Sequence, residues 1–509
     1  MQPPRRSTPR LFTLTAASAL GLAAVVVSPT SPAAAVDVTH SIAQVQGSDA
    51  ATTLVGSTVT VEGVVTADHR QGGYRGIYIQ TVGSGGATDA TPGQSDGIFV
   101  YLRSTTTPAV IGSTVRVTAV ASEYFGLTQL DASGAGAVIE VLGTADLPAP
   151  TPLPDTLIGT DRESLEGMLV APEGSYLVSS THELDRFGTV WLAAGDSVPV
   201  KSTELVPAGP DADAIAALND ARTLLLDDGR NNQVTGSTQP YAASGDPLRT
   251  GDGVDFGDEA YVLHYGFDRW RLQPTLPISS TTPAEDKATF PELNARTAMP
   301  EDVGGDVVVA AFNVLNYFTT FTSVDPDARG ARDQAQFDIQ KGKIVAAITA
   351  LDADVVALQE IENSVHFGDG TPDVALADLV AGLNAAAGSE VWAYVPTPAV
   401  LVGPAAPATD VIMNAIIYRP DTVTPLGESH ADVDETVWDI AREPIAQAFT
   451  PVDGGGDFAV VANHFKSKGG DGEEPADGQG QFNAERVEQA GAVIDFVAEV
   501  QTATGVQDV

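Results

Sequence analysis

The hydrophobic pattern of this chain changes period once, near residue 300, and that change limits what it can fold into. Before it, apolar residues come in short runs of strand length: Ser57–Val65, Gly76–Gln80, Gly97–Tyr101 and Gly112–Val120. Runs at this spacing, broken by Gly, Pro and Asp, predict a β-rich part, and five or so strands predict a small barrel. After it, the apolar stretches Val307–Phe312 and Asp354–Leu358 read as strands buried on both faces. They alternate with stretches of helical period at Gln336–Leu351, Val374–Ala386 and Asn483–Val500, and further strands are expected at Val411–Tyr418 and Phe458–Asn463. That alternation gives an α/β class.

A second β-rich stretch lies between them. Leu165–Val170 and Thr189–Ala193 read as strands, Ala212–Leu226 as a helix, and Val254–Leu272 as two strands around Tyr265–Asp268. Pro-rich Pro148–Thr156 and polar Ser279–Thr289 read as linkers. The expected organisation is a leader over 1–35, a β-barrel over 36–150, a second β-rich region and linker over 151–295, and an α/β part over 300–509. A length of 509 residues suits several domains.

The leader is read from three features. Arg5, Arg6 and Arg10 precede an apolar run from Leu11 to Val27, and Pro32-Ala33-Ala34-Ala35 follows. This is the pattern of a secretory signal cleaved after Ala35, so the expected location is outside the cell. No later stretch is long and apolar enough to span a bilayer. Cysteine is absent, which excludes disulfide staples, Cys-ligated zinc, iron–sulfur clusters and cysteine nucleophiles. With 26 basic and 67 acidic residues the formal charge is −41, and losing the leader's three arginines makes it −44. A surface this acidic repels nucleic acid and anionic lipid at long range and attracts divalent cations.

Chemistry is expected where strands of the α/β part end, because functional groups gather there. One strand ends at Asn313. Another ends at Gln359-Glu360, followed by Glu362-Asn363. A later one ends at Asn463-His464 and runs on through Lys466 and Lys468. An amide, a carboxylate and an imidazole converge if these strands are neighbours. Arg419, Arg442, Lys466 and Lys468 add scarce positive charge, which suits an anionic substrate such as a phosphate ester beside a hard cation. Each group also has a plainer role available: a solvated strand end for Glu360, a chain turn for Asn313, a structural imidazole for His464, ordinary surface charge for the lysines. The remaining histidines sit in loop-like or isolated contexts. Asp227-Asp228-Gly229 reads as a turn or a surface calcium site, and Asp471–Asp477 as a solvated loop. No phosphate-binding glycine loop, GxSxG elbow or HExxH helix occurs.

The stretches AAFNVLNYF (Ala310–Phe318), LQEIEN (Leu358–Asn363), IIYRPDTV (Ile416–Val423), REPIAQAF (Arg442–Phe449) and FAVVANHFKSK (Phe458–Lys468) come in the order found in pancreatic deoxyribonuclease. The chain thus resembles the endonuclease/exonuclease/phosphatase superfamily, and within it the secreted bacterial nucleases of ExeM/NucH type. In that group an oligonucleotide-binding-like barrel often precedes the nuclease domain, and GIFVY with EYFGLTQL (Glu123–Leu130) is similar to that barrel. The resemblance implies a multidomain chain whose β-rich half precedes a four-layer α/β sandwich. It implies that Glu360 is a ligand of a catalytic divalent metal, with magnesium first and manganese or calcium as alternatives. By the same resemblance Asn313 positions metal and phosphate, His464 contacts a phosphate oxygen or leaving group, and Arg442 contacts the nucleic-acid backbone. Lys466 and Lys468 are added as candidate phosphate contacts.

Two motifs that the resemblance leads one to expect, a Gly-Asp-Phe-Asn-like strand end and a Ser-Asp-His, do not occur in the 509 residues. By the resemblance they would supply the Asp/Asn that position the phosphate and the Asp–His pair that activates water. The expectation is therefore an incomplete sandwich, inactive as given. The function expected is a secreted metal-dependent nuclease acting on extracellular DNA or RNA, with weak, metal-aided binding. Alternatives are a phosphatase or phospholipase on the same fold, or a non-catalytic extracellular binding module. A membrane-directed phospholipase would want exposed aromatic loops, and with 6 % aromatic residues none is expected.

Overall fold

The structure is a computed structural model. It describes residues 37–87, 91–234, 239–242, 247–403, 406, 409–473, 475 and 478–509. The leader lies outside the described residues. Two compact units emerge: residues up to 151 with 163–169 and 262–268, and the rest of the chain.

In the first unit a short helix, α1 (Ile42–Gln46), starts from a reciprocal cap. Ser41 Oγ accepts from Gln44 N, and Gln44 Oε1 accepts from Ser41 N. Six strands follow: β1 (Thr58–His69), β2 (Gly76–Gln80), β3 (Gly97–Tyr101), β4 (Ser113–Tyr124), β5 (Leu127–Asp131) and β6 (Val138–Thr144). They pair in the order β1-β2-β3-β5-β4, and β4 returns to pair with β1, so five strands close a ring while β6 lies along β4. Only β3 and β5 run parallel within it. Alternate residues fill the inside: Val59, Val61, Ile77, Ile79, Ile98, Val100, Val115 and Val117 are buried together. Gly76 is required where β2 meets β3, because a Cβ there would fall onto the Phe99 ring.

Three expectations change here. The first strand does not stop at Val65; a bulge between Val65 and Ala67 carries it on to His69. His69 and His264 are not loop residues. Both are buried, and Tyr78 Oη lies 2.8 Å from His264 Nδ1. Exposed aromatics do exist: Tyr124 meets Phe125 edge-on and Phe125 stacks on Phe267, all three more than half to half exposed at hairpin turns. Tyr124 and Phe125 are adjacent, but Phe267 comes from a hairpin far along the chain, so counting aromatics could not show the cluster.

Where the chain leaves and re-enters the first unit it forms β7 (Thr151–Pro154) and β8 (Leu169–Glu173), and later β12 (Tyr261–Gly266). The Pro-rich stretch read as a linker thus contains a strand. The strand expected at Leu165 starts at Leu169, after a 3₁₀ turn over Gly159–Leu165.

In the second unit β9 (Tyr176–Ser180), β10 (Val190–Ala194), β11 (Thr223–Leu226) and β13 (Arg269–Pro274) pair in the order β9-β10-β11-β13. Two single-turn helices, α2 (Leu184–Phe187) and α3 (Ser202–Leu205), and the longer α4 (Pro210–Arg222) connect them. The helix expected to reach Leu226 ends at Arg222. Leu224, Leu225 and Leu226 are a buried strand instead, since a helix with only Ala212 buried gives them no core to face.

The part beyond residue 300 is layered. A four-stranded sheet has the order β14 (Val309–Tyr317), β15 (Val355–Glu362), β17 (Ile412–Tyr418) and β16 (Ala393–Tyr394). A three-stranded sheet follows: β18 (Val423–Ala431), β19 (Arg442–Pro451) and β20 (Phe458–His464). Helices α5 (Gln334–Leu351) and α6 (Val374–Ala387) cover one face of the first sheet through Ile344, Ile348, Leu376 and Leu379 on Val356, Leu358 and Ile417. The two sheets meet through Val355, Ile416, Ile445, Phe449 and Val460. After the single turn α7 (Glu435–Trp438), the last helix, α8 (Asn483–Thr504), covers the second sheet with Phe496 and Val500 on Ala446, Ala448 and Ala459. Asp508 then makes a parallel bridge with Phe458. One expectation fails: the strand around Val307–Phe312 is not buried on both faces. It is the sheet edge, with Val309 48 % exposed, so an apolar run alone did not reveal its place. No helix among the described residues is long and apolar enough to cross a membrane.

Candidate active site

The strands that carry Asn313 and Glu360 do not end at them; they bulge, while the strand that carries His464 ends there as expected. In β14 the ladder with β15 breaks after Asn313 and resumes at Tyr317. In β15 the ladder with β17 jumps from Leu358 to Ile361, so Gln359 and Glu360 oppose the single residue Asn414. In β19 it jumps from Arg442, which faces His464, to Ile445. Bulges re-aim side chains and increase local twist. Asn313, Glu360, Arg442 and His464 each sit at or directly beside one of these three bulges.

Glu360 is held in a left-handed backbone, φ +66°, and so are Leu315 at +53° and Asn316 at +57°. Such a conformation costs a non-glycine residue about 1–2 kcal/mol. Glu360 is compensated by two donors. Asn313 Nδ2 donates to its Oε1 at 2.9 Å, and the Asn316 amide donates to its Oε2 at 3.0 Å. Hydrogen bonds to a charged group contribute about 1.5–3 kcal/mol each, enough to outweigh the strain. Asn313 is fixed in turn, because its Oδ1 accepts from the Leu315 amide at 2.8 Å. The NVLN run is thus a small loop wrapped around one carboxylate.

His464 approaches from the second sheet, its Nε2 3.8 Å from Glu360 Oε1. The two are close enough to share a ligand and too far for a direct hydrogen bond. Burial, helped by the positive charge of Arg442, holds the imidazole below its ordinary pKa against the pull of Glu360 and Asp410. It is therefore neutral at neutral pH and able to accept a proton or a hydrogen bond. Arg442 is 7 % exposed. Its Nη2 donates to the Phe465 carbonyl at 3.2 Å, and its Nη1 lies 3.9 Å from Asp410 Oδ2. Burial lowers the pKa of its guanidinium, with Asp410 opposing.

Among the described residues three buried polar atoms around this point have no partner: His464 Nδ1, Arg442 Nε and Asn414 Oδ1. Native interiors leave few such atoms, and a cluster of them marks a place completed by something bound. A hard cation fits here in one way. Magnesium is commonly held by one or two carboxylates and keeps several waters. Glu360 offers one carboxylate whose oxygens each retain a lone pair. A cage of three or more His, Cys, Asp or Glu side chains is not built among the described residues.

Other expected groups are placed differently. Glu362, in the same LQEIEN run, is fully buried and satisfied by Thr319 Oγ1, the Thr320 amide and Ser364 Oγ. Lys466 Nζ lies 3.9 Å above the Phe482 ring and donates to Ser467 Oγ and the Gly469 carbonyl. Lys468 points to Glu204, 3.8 Å away, and Arg419 pairs with Asp352 and Asp421. None of these cations joins Glu360 through a contact. Asp227 and Asp228 are no surface site: both are buried, and Arg271 Nη1 pairs with Asp227 Oδ2 at 2.9 Å. The reading of the sequence missed Asp410 and Arg329. Asp410 Oδ1 lies 3.2 Å from Arg329 Nη2 while its other oxygen faces Arg442. The signal available was an acid just before the strand that opposes the Glu360 bulge.

No family model and no curated protein match this chain. Some solved structures do resemble it. An endonuclease/exonuclease/phosphatase family protein from Bacteroides thetaiotaomicron is 19 % identical over 38 % of this chain and 59 % of its own, with a TM-score of 0.25. The mannosyl-6-phosphatase Bt3783 of Bacteroides thetaiotaomicron VPI-5482 is 18 % identical over 38 % of this chain and 60 % of its own, also at 0.25. The human Nocturnin catalytic domain is 15 % identical over 39 % of this chain and 60 % of its own, at 0.22. This chain thus spans less than two thirds of each of them. Likeness at this level says nothing about chemistry, which the residues themselves must carry.

Proposed function

We propose that residues 300–509 carry the metal-and-phosphate half of a phosphoester hydrolase site, and that its substrate class is nucleic acid. The single observation behind this is the convergence of three β-bulges that put Glu360, Asn313, His464 and Arg442 around one cluster of partnerless polar atoms. Glu360 would hold magnesium, with manganese or calcium as substitutes. A divalent cation bound there supplies neutralisation of charge on the phosphate and on the leaving oxygen. Arg442, desolvated and aimed from the second sheet, would hold a phosphate oxygen; His464, neutral, would take or give a hydrogen bond at the same group. Asn313 keeps the carboxylate in place.

The layered arrangement supports an endonuclease/exonuclease/phosphatase-type sandwich, and the closed β1-β2-β3-β5-β4 ring supports an oligonucleotide-binding-like barrel, the pairing expected of a secreted ExeM/NucH-type nuclease. The Ser-Asp-His motif that would activate water in that group is absent from this sequence. The expected result for the 509-residue protein is therefore magnesium-dependent retention of nucleic acid with little cleavage. The test measures binding of a fluorescent single-stranded oligonucleotide by anisotropy, with magnesium and with chelator, in wild type, Glu360→Gln and Arg442→Ala. Binding that needs magnesium and weakens at least about tenfold in both variants is the expected outcome. Binding indifferent to magnesium and to both substitutions would falsify the reading.

A further inference from the structure

Positive charge is scarce in the first unit. Residues 37–150 hold four basic side chains other than histidine, all arginines, against ten acidic ones. Arg116 is held between Glu62 at 2.6 Å and Glu140 at 3.2 Å. The other three, Arg70, Arg75 and Arg103, line a single hollow of 260 Å³ together with Leu102 and Ser104–Thr107. Strand register brings them there. His69 faces Gly76 across β1–β2, and Gly76 faces Tyr101 across β2–β3. Arg70 follows the first of these residues, Arg75 precedes the second and Arg103 comes two after the third.

The backbone holds two of them against its own preference. Arg75 has φ +58° and Arg103 has φ +53°. Arg103 is the first central residue of a turn closed by the Thr105 amide on the Leu102 carbonyl at 2.8 Å, and the Arg75 carbonyl accepts from the Leu102 amide at 2.9 Å. Glycine or asparagine ordinarily takes such positions. Arg70 is anchored: its Nε and Nη2 fork onto the Asp68 carboxylate, and its Nη1 donates to the Thr107 carbonyl at 2.9 Å. Asp68 is the single carboxylate paired there, and among the described residues neither Arg75 nor Arg103 makes an ion pair. Three guanidinium groups against one carboxylate leave an excess of positive charge, inside a chain with 67 acids from which to draw partners. Strained backbone at an observed position is grounds for a functional reading.

We infer that this hollow binds a phosphate group. Guanidinium forks match a tetrahedral oxyanion, and Ser104 and Thr106, which bear hydroxyls, line the same hollow. The volume is just under the roughly 300–1,000 Å³ of pockets for drug-sized ligands, which leaves room for a phosphate and part of the group that bears it. That phosphate comes either from the backbone of a nucleic-acid strand or from a free phosphate or phosphomonoester. The inference does not depend on the hydrolase site proposed above.

The test uses the whole protein in chelator, so that Glu360 contributes no metal-held phosphate. Inorganic phosphate is titrated by calorimetry under these conditions, and a single-stranded oligonucleotide by anisotropy with magnesium restored, each into wild type and into Arg75→Gly/Arg103→Gly. Glycine relieves the left-handed strain at both positions, so this variant keeps its fold, and its melting temperature is expected to stay level or rise. The expected result is phosphate binding that falls at least about tenfold in the variant. Loss of oligonucleotide binding alongside it assigns the hollow to a strand; unchanged oligonucleotide binding assigns it to a free phosphate or phosphomonoester. No binding of phosphate by wild type through the millimolar range, or equal binding by both proteins, overturns the inference.

Discussion

The bulge site around Glu360 and the arginine hollow around Arg75 both use left-handed backbone at side-chain-bearing residues, yet they balance charge in opposite ways. At the bulges every charge has an answer. Glu360 accepts from Asn313 and Asn316 and faces His464, while Arg442 faces Asp410. In the hollow Arg75 and Arg103 are exposed and have no carboxylate, and Asp68 serves Arg70 alone. A half-buried site cannot keep a net charge, because desolvation penalises it. An open one can, and holds its charge ready for an incoming anion. The first arrangement suits chemistry in which charge develops or arrives with a metal; the second suits binding alone.

Removing a carboxylate is the sharpest way to break this comparison, because the sign of the effect should reverse. Glu360→Gln is expected to lower magnesium affinity at the bulge site by at least about a hundredfold, measured by calorimetry or by manganese spin resonance. Asn313→Ala leaves the carboxylate but frees it to rotate. Loss of such a supporting hydrogen bond ordinarily lowers metal affinity about 10–100-fold, so its effect should fall below that of Glu360→Gln. If Asn313→Ala binds magnesium as wild type does, the loop around Glu360 does not position a ligand.

Asp68→Asn should act in the other direction. It keeps an oxygen to accept from Arg70 and removes the one negative charge at the hollow. Phosphate affinity is expected to rise a few-fold, and the gain should shrink as salt is added, because charges this exposed are screened within a Debye length of about 10 Å at moderate ionic strength. A decrease would mean that the Asp68 charge is needed to hold Arg70 in place, and that the hollow is balanced like the bulge site.

The two sites were not equally legible in the sequence. The five ordered stretches carried Asn313, Glu360, Arg442 and His464, since each lies in a run whose apolar pattern marks a strand. What the pattern could not show is that β14 and β15 continue past Asn313 and Glu360, whereas β20 does end at His464. A bulge shifts register by one or two residues and leaves hydrophobic periodicity on either side intact, so Glu360 read as a strand end. The edge position of β14 was hidden for a related reason: Val307–Phe312 is apolar throughout, but Val309 and Ala311 are exposed. Asp410 was invisible because its partners, Arg329 and Arg442, lie 81 and 32 residues away along the chain. The arginine hollow had no local signature at all. Arg70, Arg75 and Arg103 become neighbours through strand register alone, and nothing in a run such as YLRST announces a left-handed arginine.

A third charged cluster, Asp227–Asp228–Arg271, separates the effect of burying charge from the effect of offering it to a ligand. Here both carboxylates are buried, Asp227 pairs with Arg271, and the Tyr241 hydroxyl is turned to the Asp227 carbonyl. Arg230 Nε is the nearest cation to Asp228, 3.9 Å away, and burial together with the Asp227 charge pushes the Asp228 carboxyl up to about 8. A carboxyl whose folded pKa is raised holds its proton in the folded state after the unfolded chain has released it. Its contribution to stability is therefore full below the unfolded value of 3.8 and is lost as pH rises towards about 8. Acidification from pH 8 to pH 5 also relieves the general repulsion of a chain at −41, so a rise in melting temperature alone decides nothing. The difference between proteins does. Asp228→Asn removes the titration and keeps the volume, so it should melt higher than wild type at pH 8, by about 2–4 °C for each kcal/mol relieved. At pH 5 most of that difference should be gone, and it should vanish only below about 3.8. Parallel curves across this range would show Asp228 ionised in both states, and the cluster would then be an open charged site like the hollow.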